Sequence, residues 1–512
     1  MDRRSFIGGA ATVAAASLLR IPRAAASTGD LDFASALDAA RAIRGGRVSS
    51  VELTKRMLDR IARYNPKLNA VVTLTEDAAL ARAKAADEAR ARGQWWGPLH
   101  GVPATIKDTF ETAGVRTTAG AGPFSNYVPS RDAVVVERLQ RAGVVVLGKT
   151  NVPAMASDWQ SFNAIFGISR NPWDPERTPG GSSGGEAAAL AAGLTYVSIG
   201  SDIGGSIRIP AAFCGVYGHK PTLGVVPMRG HVPPPPDAPP SPPSSLAVAG
   251  PLARNAADLT LSLEVLGGPD DPDRLAYRWS LPPARGARLA DYHIGYVLDD
   301  PACPVSADTK PAMEQAIAAL RKAGATLEEG WPSGIAPAVQ YDTYRDLLWA
   351  TFSFLVRDDQ VEALRAMAAR EENTHQVRRA RAWTATPRYL VAAHSRRLAA
   401  RAAWQQYFRT HDAFILPTSF VPAFPHDASE PMDNRRLATP AGSREYYDLF
   451  YWISFATLTG LPATTAPVGR TAAGLPVGIQ IMGPYLEDAT PIDIAGKLAD
   501  VVGGFTAPPG YA

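Results

Sequence analysis

Cysteine is nearly absent from this chain: only Cys214 and Cys303 occur in 512 residues. Two thiols so far apart exclude a paired-thiolate zinc site, and no HExxH stretch replaces it, so no metal centre is expected. A chain of this length buries a core that needs no disulfide staple, and both cysteines are expected as free, buried thiols. Excess charge is missing too, with 52 Lys and Arg against 49 Asp and Glu. Arg3, Arg4, Arg20 and Arg23 against Asp2 give residues 1–26 a net charge of +3, which equals the +3 of the whole chain. The remainder is formally neutral and carries no electrostatic footprint for nucleic acid or an anionic membrane surface. Long apolar runs are also lacking. The mildly apolar stretch at 6–19 falls short of the roughly 20 residues that a membrane span needs. What remains, 46% apolar and 20% charged, is the composition of an ordinary globular protein.

The N-terminus has a plan of its own. MDRRSFIGGAATVAAASLLRIPRAAAS joins paired arginines, an apolar stretch and the small residues Ala24, Ala25 and Ala26. That pattern predicts an export signal of twin-arginine type, cut before Ser27, and hence a periplasmic or secreted protein. After it, residues 30–92 read as helical, with Ser49 and Glu52 forming a capping box ahead of Leu53, Met57 and Ile61. From 96 onward strands alternate with helices. VVVLGKT (144–150) and TYVSIG (195–200) read as buried strands, and GEAAALAAG (185–193) as the helix between them. The expected fold class is therefore α/β, one large domain with a mixed central sheet covered on both faces by helices. HVPPPPDAPPSPPSS (231–245) reads as a stiff surface loop, and the aromatics of the arginine-rich helices at 340–410 read as core. Sheet texture returns after 450, and no internal repeat is present.

Two motif matches mislead. GVVVLGKT (143–150) fits the P-loop pattern, but a phosphate cradle needs an open loop where this stretch places three valines and a leucine. GGSSG (180–184) fits the nucleophile elbow of α/β-hydrolases, which must follow a strand. The preceding RNPWDPERTP, with its three prolines, is no strand.

The two serines in glycine beds still need an account. PGGSSGGEAA (179–188) carries Ser182 and GSDIGGSIRIP (200–210) carries Ser206. None of the histidines downstream of GGSSG stands in a context that would make it the base. A lysine has an unperturbed pKa of about 10.4, but burial disfavours its ammonium and can lower that value by several units. Lys107, in GVPATIKDTF (101–110), is the candidate, and serine–lysine pairs are a recognised alternative to the histidine triad. On the residues alone, either serine could attack.

Taken together, GVPATIKDTF, PGGSSGGEAAALAAG and GSDIGGSIRIPAAFCGVYGHKPT resemble the amidase signature family. FGISRNPWD (166–174), GPLARNAADL (250–259) and GLPVGIQIMGP (474–484) extend the resemblance over about 30–490. The resemblance implies a Ser-Ser-Lys triad in which Ser206 is the acylated nucleophile, Ser182 relays its proton, and Lys107 is the terminal base. It implies an oxyanion hole from the backbone N–H groups of Ile203, Gly204, Gly205 and Ser206, each such donor worth about 2.7–4 kcal/mol of barrier. It implies no cofactor, and a single amidase domain over 27–512, with a signature core at about 96–270, a variable pocket region at about 271–440 and a return to the core at about 441–512. Met155 and Ala156, after GKTNVP, are candidates for the pocket wall. Ser183 is expected to support its turn, Asp202 and Arg208 to hold the nucleophile's loop, and Cys214 to pack. Two positions depart from the family pattern: His219, expected as structural, and Glu186, where serine is common and which lies past the triad.

The function implied is amidase chemistry on a small-molecule carboxamide, with an esterase or acyltransferase using the same triad as the alternative. A non-catalytic binding protein on the same fold is disfavoured because Lys107, Ser182 and Ser206 are all present. A tRNA-dependent amidotransferase subunit, the rival within the family, is disfavoured by the expected export signal. A homodimer is left open, and the aromatic content of the pocket region points to an apolar acyl group.

Overall fold

The computed structural model describes residues 31–232 and 245–512. The signal expected at 1–26 and most of the proline-rich stretch lie outside the described residues.

The described strands are β1 (Val71–Leu74), β2 (Pro103–Lys107), β3 (Val145–Thr150), β4 (Phe162–Asn163), β5 (Gly167–Ile168), β6 (Val197–Asp202), β7 (Tyr217–Lys220) and β8 (Val248–Ala253). They continue with β9 (His293–Tyr296), β10 (Thr326–Glu329), β11 (Ala413–Pro417), β12 (Arg436–Thr439), β13 (Gly442–Glu445), β14 (Ala463–Arg470) and β15 (Pro476–Met482). Eleven of them form one sheet, in the order β1-β3-β2-β6-β8-β7-β14-β15-β11-β9-β10. Strands β3, β2 and β6 run parallel at one end, and β11, β9 and β10 at the other. The strands between pair antiparallel, so the sheet is mixed. Helices flank it, and the expected α/β class holds.

Local sequence explains the pieces. Ser49 and Glu52 form the capping box: Glu52 N–H donates to Ser49 Oγ at 3.0 Å, and Ser49 N–H donates to Glu52 Oε2 at 2.7 Å. The helix they start, Ser50–Leu68, buries Leu53, Met57 and Ile61 on one face. The stretch fitting the P-loop pattern is strand β3, and its Lys149 is buried, donating to Thr112 Oγ1 at 2.9 Å and Thr117 Oγ1 at 3.1 Å. The helix Gly184–Ala191 is buried along its whole length, which its glycines and alanines permit. Strand β2 is buried throughout, and Lys107 is its last residue.

One expectation of core packing fails. Tyr344 is fully buried, but Phe354 is 75% exposed. Its helix ends at Thr351 and Phe354 lies in the 3-10 turn that follows, so helical spacing no longer dictates which side it faces.

The capping box gives a direct test. Ser49→Ala is expected to lower unfolding stability by about 1 kcal/mol, read as a lower urea midpoint with unchanged slope; an unmoved midpoint would show that the cap adds nothing here.

Candidate active site

The carboxyl ends of β2 and β6 converge with the loop before helix Gly184–Ala191. This places Lys107 against three hydroxyls. Its Nζ donates to Ser182 Oγ at 2.8 Å, Ser183 Oγ at 2.8 Å and Ser201 Oγ at 3.1 Å. The three acceptors match the three donors of an ammonium, and none is a carboxylate. Burial pulls the Lys107 pKa down to about 8, while the charges of Glu186 and Asp202 oppose that fall.

Ser182 follows a cis peptide bond from Gly181. Ser161 braces the turn, its Oγ donating to Gly180 O at 3.1 Å and accepting from Gly184 N–H at 3.0 Å. The two serine loops are joined directly, because Ser183 N–H donates to Ser206 O at 3.1 Å. Ser206 is 6% exposed, and its hydroxyl makes no hydrogen bond among the described residues.

The Ser206 loop turns between β6 and helix Arg208–Cys214. Asp202 and Arg208 form a wholly buried ion pair at 2.9 Å. Arg208 is otherwise satisfied by Ile453 O at 2.9 Å, Gln480 Oε1 at 2.8 Å and Thr457 Oγ1 at 2.7 Å. This is the holding role expected of the pair. Gly205 has φ +89, a conformation that other residues adopt only with strain. Its N–H donates to Asp202 Oδ1 at 3.0 Å. That corrects the expected donor set, since an amide already given to a carboxylate is not free for an oxyanion. The amides of Ile203, Gly204 and Ser206 have no acceptor among the described residues. The loop's carbonyls are held from outside: Trp159 Nε1–H donates to Gly204 O at 2.7 Å, and Tyr344 OH to Ile203 O at 2.9 Å.

Several residues have roles that sequence reasoning missed. Ser183 contacts the lysine itself, and Ser201, inside a strand, carries no sequence signal of its own. Glu186 is wholly buried: Thr150 Oγ1 donates to its Oε1 at 2.6 Å, and its Oε2 has no partner. Burial pushes its carboxyl above the usual range, and the Lys107 charge opposes this. Trp159 packs against Phe450 with ring centroids 4.4 Å apart, and Phe450 in turn meets Tyr447 and Trp349. A Cβ on Gly204 would lie 3.0 Å from Phe450 Cε1, so this aromatic wall borders the Ser206 loop. Met155 and Ala156 stand just before it in left-handed conformations (φ 52 and 57), Met155 42% exposed. Within this segment Trp159 bonds the Ser206 loop through its Nε1–H.

The remaining expectations resolve simply. His219 is buried between Thr464 Oγ1 at 2.9 Å and Asp488 Oδ1 at 3.1 Å, a structural histidine. Cys214 and Cys303 are free and buried, and burial raises both thiol pKa values. His231 packs against Phe110 with ring centroids 4.9 Å apart and planes at 57°, and burial and the Lys107 charge lower its pKa to about 3. No helix among the described residues is long and apolar enough to cross a membrane.

Comparison with known proteins follows the same lines. Residues 52–491 match the amidase family. The chain is 35% identical over 499 residues to the glutamyl-tRNA(Gln) amidotransferase A-type subunit of Carboxydothermus hydrogenoformans, covering 91% of this chain and 96% of that one. It is 34% identical over 473 residues to the same subunit of Thermosynechococcus vestitus, covering 87% and 93%. Among solved structures it is similar to a crystal structure of an amidase, with TM-score 0.73 and 29% identity over 92% of this chain and 100% of that one. The corresponding amidotransferase subunit of Thermotoga maritima gives TM-score 0.71 and 27% identity over 94% and 98%. These relatives correct the expected export to the periplasm: an enzyme named for a charged tRNA acts where charged tRNA is held, in the cytoplasm. The sheet, the serine–lysine cluster and the match over most of its length agree: this chain is an enzyme of the amidase signature family, whose members act on carbon–nitrogen amide bonds.

Proposed function

We propose that the enzyme hydrolyses a carboxamide through an acyl-Ser206 intermediate, with Ser182 and Lys107 relaying protons. The observation that carries this reading is the buried Lys107 amine, aimed at serine hydroxyls and touching no carboxylate. Ser206 Oγ attacks the carbonyl carbon and passes its proton to Ser182 Oγ, which passes its own to neutral Lys107. The negative oxygen that forms faces the amides of Ile203, Gly204 and Ser206. The proton then returns through Ser182 to the leaving nitrogen, the C–N bond breaks, and acyl-Ser206 remains. Water, deprotonated by the same relay, releases the carboxylate. The wall of Trp159, Phe450, Tyr447 and Trp349 supports an apolar or aromatic acyl group.

A second reading rests on the curated relatives. Identity of 35% across 91% of the chain favours the ammonia-releasing subunit of a glutamyl-tRNA amidotransferase, acting on an amide donor such as glutamine beside partner subunits. The objection from export no longer stands against it. A panel of benzamide-type, anilide, long-chain, short aliphatic and glutamine amides decides between the two. Turnover of an apolar amide by the chain alone, lost by roughly 10⁴-fold or more in Ser206→Ala, supports the first reading. Turnover of glutamine alone, rising with added partner subunits, supports the second. Equal activity in Ser206→Ala sinks both.

The pH dependence follows from the lysine. The relay needs neutral Lys107, and burial places its titration at about 8, so kcat/KM is expected to rise with pH through that region. Glu186 opposes the fall in the Lys107 pKa, so Glu186→Gln removes a charge that favours the ammonium. The rising limb then moves to lower pH, by on the order of one unit. A limb that stays put or moves upward would remove Glu186 from this account.

A further inference from the structure

At the far end of the main sheet, five to seven strand steps from β6, two imidazoles and a carboxylate converge. His293 opens β9, Glu328 lies on the edge strand β10, and His411 stands two residues before β11. Their ligand atoms lie within 4.8 Å of one another. Glu328 Oε2 is 3.0 Å from His411 Nε2 and 3.8 Å from His293 Nε2. The two imidazole rings lie 3.8 Å apart at 30°, and Tyr407 stacks on His411 at 4.1 Å.

The other ring nitrogens are already engaged, both by Thr410. His293 Nδ1 lies 3.0 Å from Thr410 O, a carbonyl that can only accept, so Nδ1 carries the proton. The Thr410 hydroxyl oxygen lies 2.9 Å from His411 Nδ1 and 3.3 Å from Tyr407 O, so a proton on Nδ1 can be given to that oxygen while the hydroxyl donates to Tyr407. Held this way, both rings turn Nε2 toward one carboxylate. Three possible ligand atoms then face one another, and a single cation can be held by all of them. One divalent ion satisfies all three atoms at once.

We propose that His293, Glu328 and His411 bind one divalent transition-metal ion of the zinc class. Two imidazole nitrogens and a carboxylate oxygen suit that ion, with water in the fourth position. Thr410 is the outer partner of both rings, through its carbonyl to His293 and its hydroxyl to His411, as backbone carbonyls and hydroxyls are for metal-bound histidines. The ion ties the edge strand β10, which among the described residues has β9 as its one neighbour in the sheet, to β9 and to the turn at 410–412. It is a structural clasp, remote from Lys107 and Ser206.

The test uses the full chain freed of metal, titrated with Zn²⁺ by calorimetry and with Co²⁺ by visible absorption. One ion per chain is expected, with the intense visible band of four-coordinate Co²⁺ and a higher thermal midpoint with Zn²⁺. Glu328→Gln alters a side chain that is 66% exposed, so the variant folds and is expected to bind at least about tenfold more weakly. Thr410→Val keeps the side-chain shape, removes the hydroxyl, and is expected to weaken binding by about 10–100-fold. Absence of a stoichiometric ion would overturn the proposal. So would equal affinity in the folded His293→Ala/His411→Ala double variant.

Discussion

Everything at this site depends on taking one amine out of water. Lys107 ends a strand buried along its whole length, and the surroundings offer it hydroxyls in place of a counter-ion. A salt-bridged lysine would keep its proton far above neutrality and serve as a fixed charge. A lysine ringed by serines stays hydrogen-bonded in either protonation state, because a hydroxyl can both accept and donate. Glu186 and Asp202 lend charge from a distance, enough to oppose desolvation without direct contact. The balance between these opposing influences, more than any single bond, sets the character of the base.

The rest of the structure serves that balance. Asp202 orients the Gly205 amide and anchors Arg208, so one carboxylate determines which amides of the loop remain free. Trp159 and Tyr344 hold two successive carbonyls of the same loop. The bond between Ser183 N–H and Ser206 O joins the two glycine-bedded loops. The glycines are there because the backbones come close: a Cβ on Gly181 would lie 2.5 Å from Asp158 O.

What the sequence revealed was largely what neighbouring residues decide among themselves. The Ser49–Glu52 box, the strand hidden in a P-loop pattern and the Asp202–Arg208 pair all join residues a few positions apart, and each is found in the structure. The two free thiols were legible because a core of this size needs no staple, and His219 was legible as structural, held by Thr464 and Asp488. Glu186 was not legible. Four residues after Ser182 on a helix of small residues, it stood out only as a departure lying past the triad, and the strands and helix packed around that helix bury it beside Lys107. Trp159 escaped for the same reason, since its acceptor lies 45 residues away. Phe354 shows the converse: spacing inside a helix says nothing once the helix has ended. The N-terminal pattern suggested an address that the relatives do not share.

The strand order also bears on the order in which the chain is made. Strands β14 and β15, from residues 463–482, lie in the middle of the sheet, between β7 and β11. The partners that satisfy Arg208 outside its own loop, Ile453, Thr457 and Gln480, come from this same late region. A ribosome that has released only the first 450 residues has therefore delivered Lys107, Ser182 and Ser206 without the groups that set Arg208. Both halves of the sheet wait for the same late hairpin, and until it arrives the guanidinium behind the Ser206 loop lacks most of its partners. The nascent chain thus carries its chemical groups first and gains the framework that holds them only once residues 453–482 have followed.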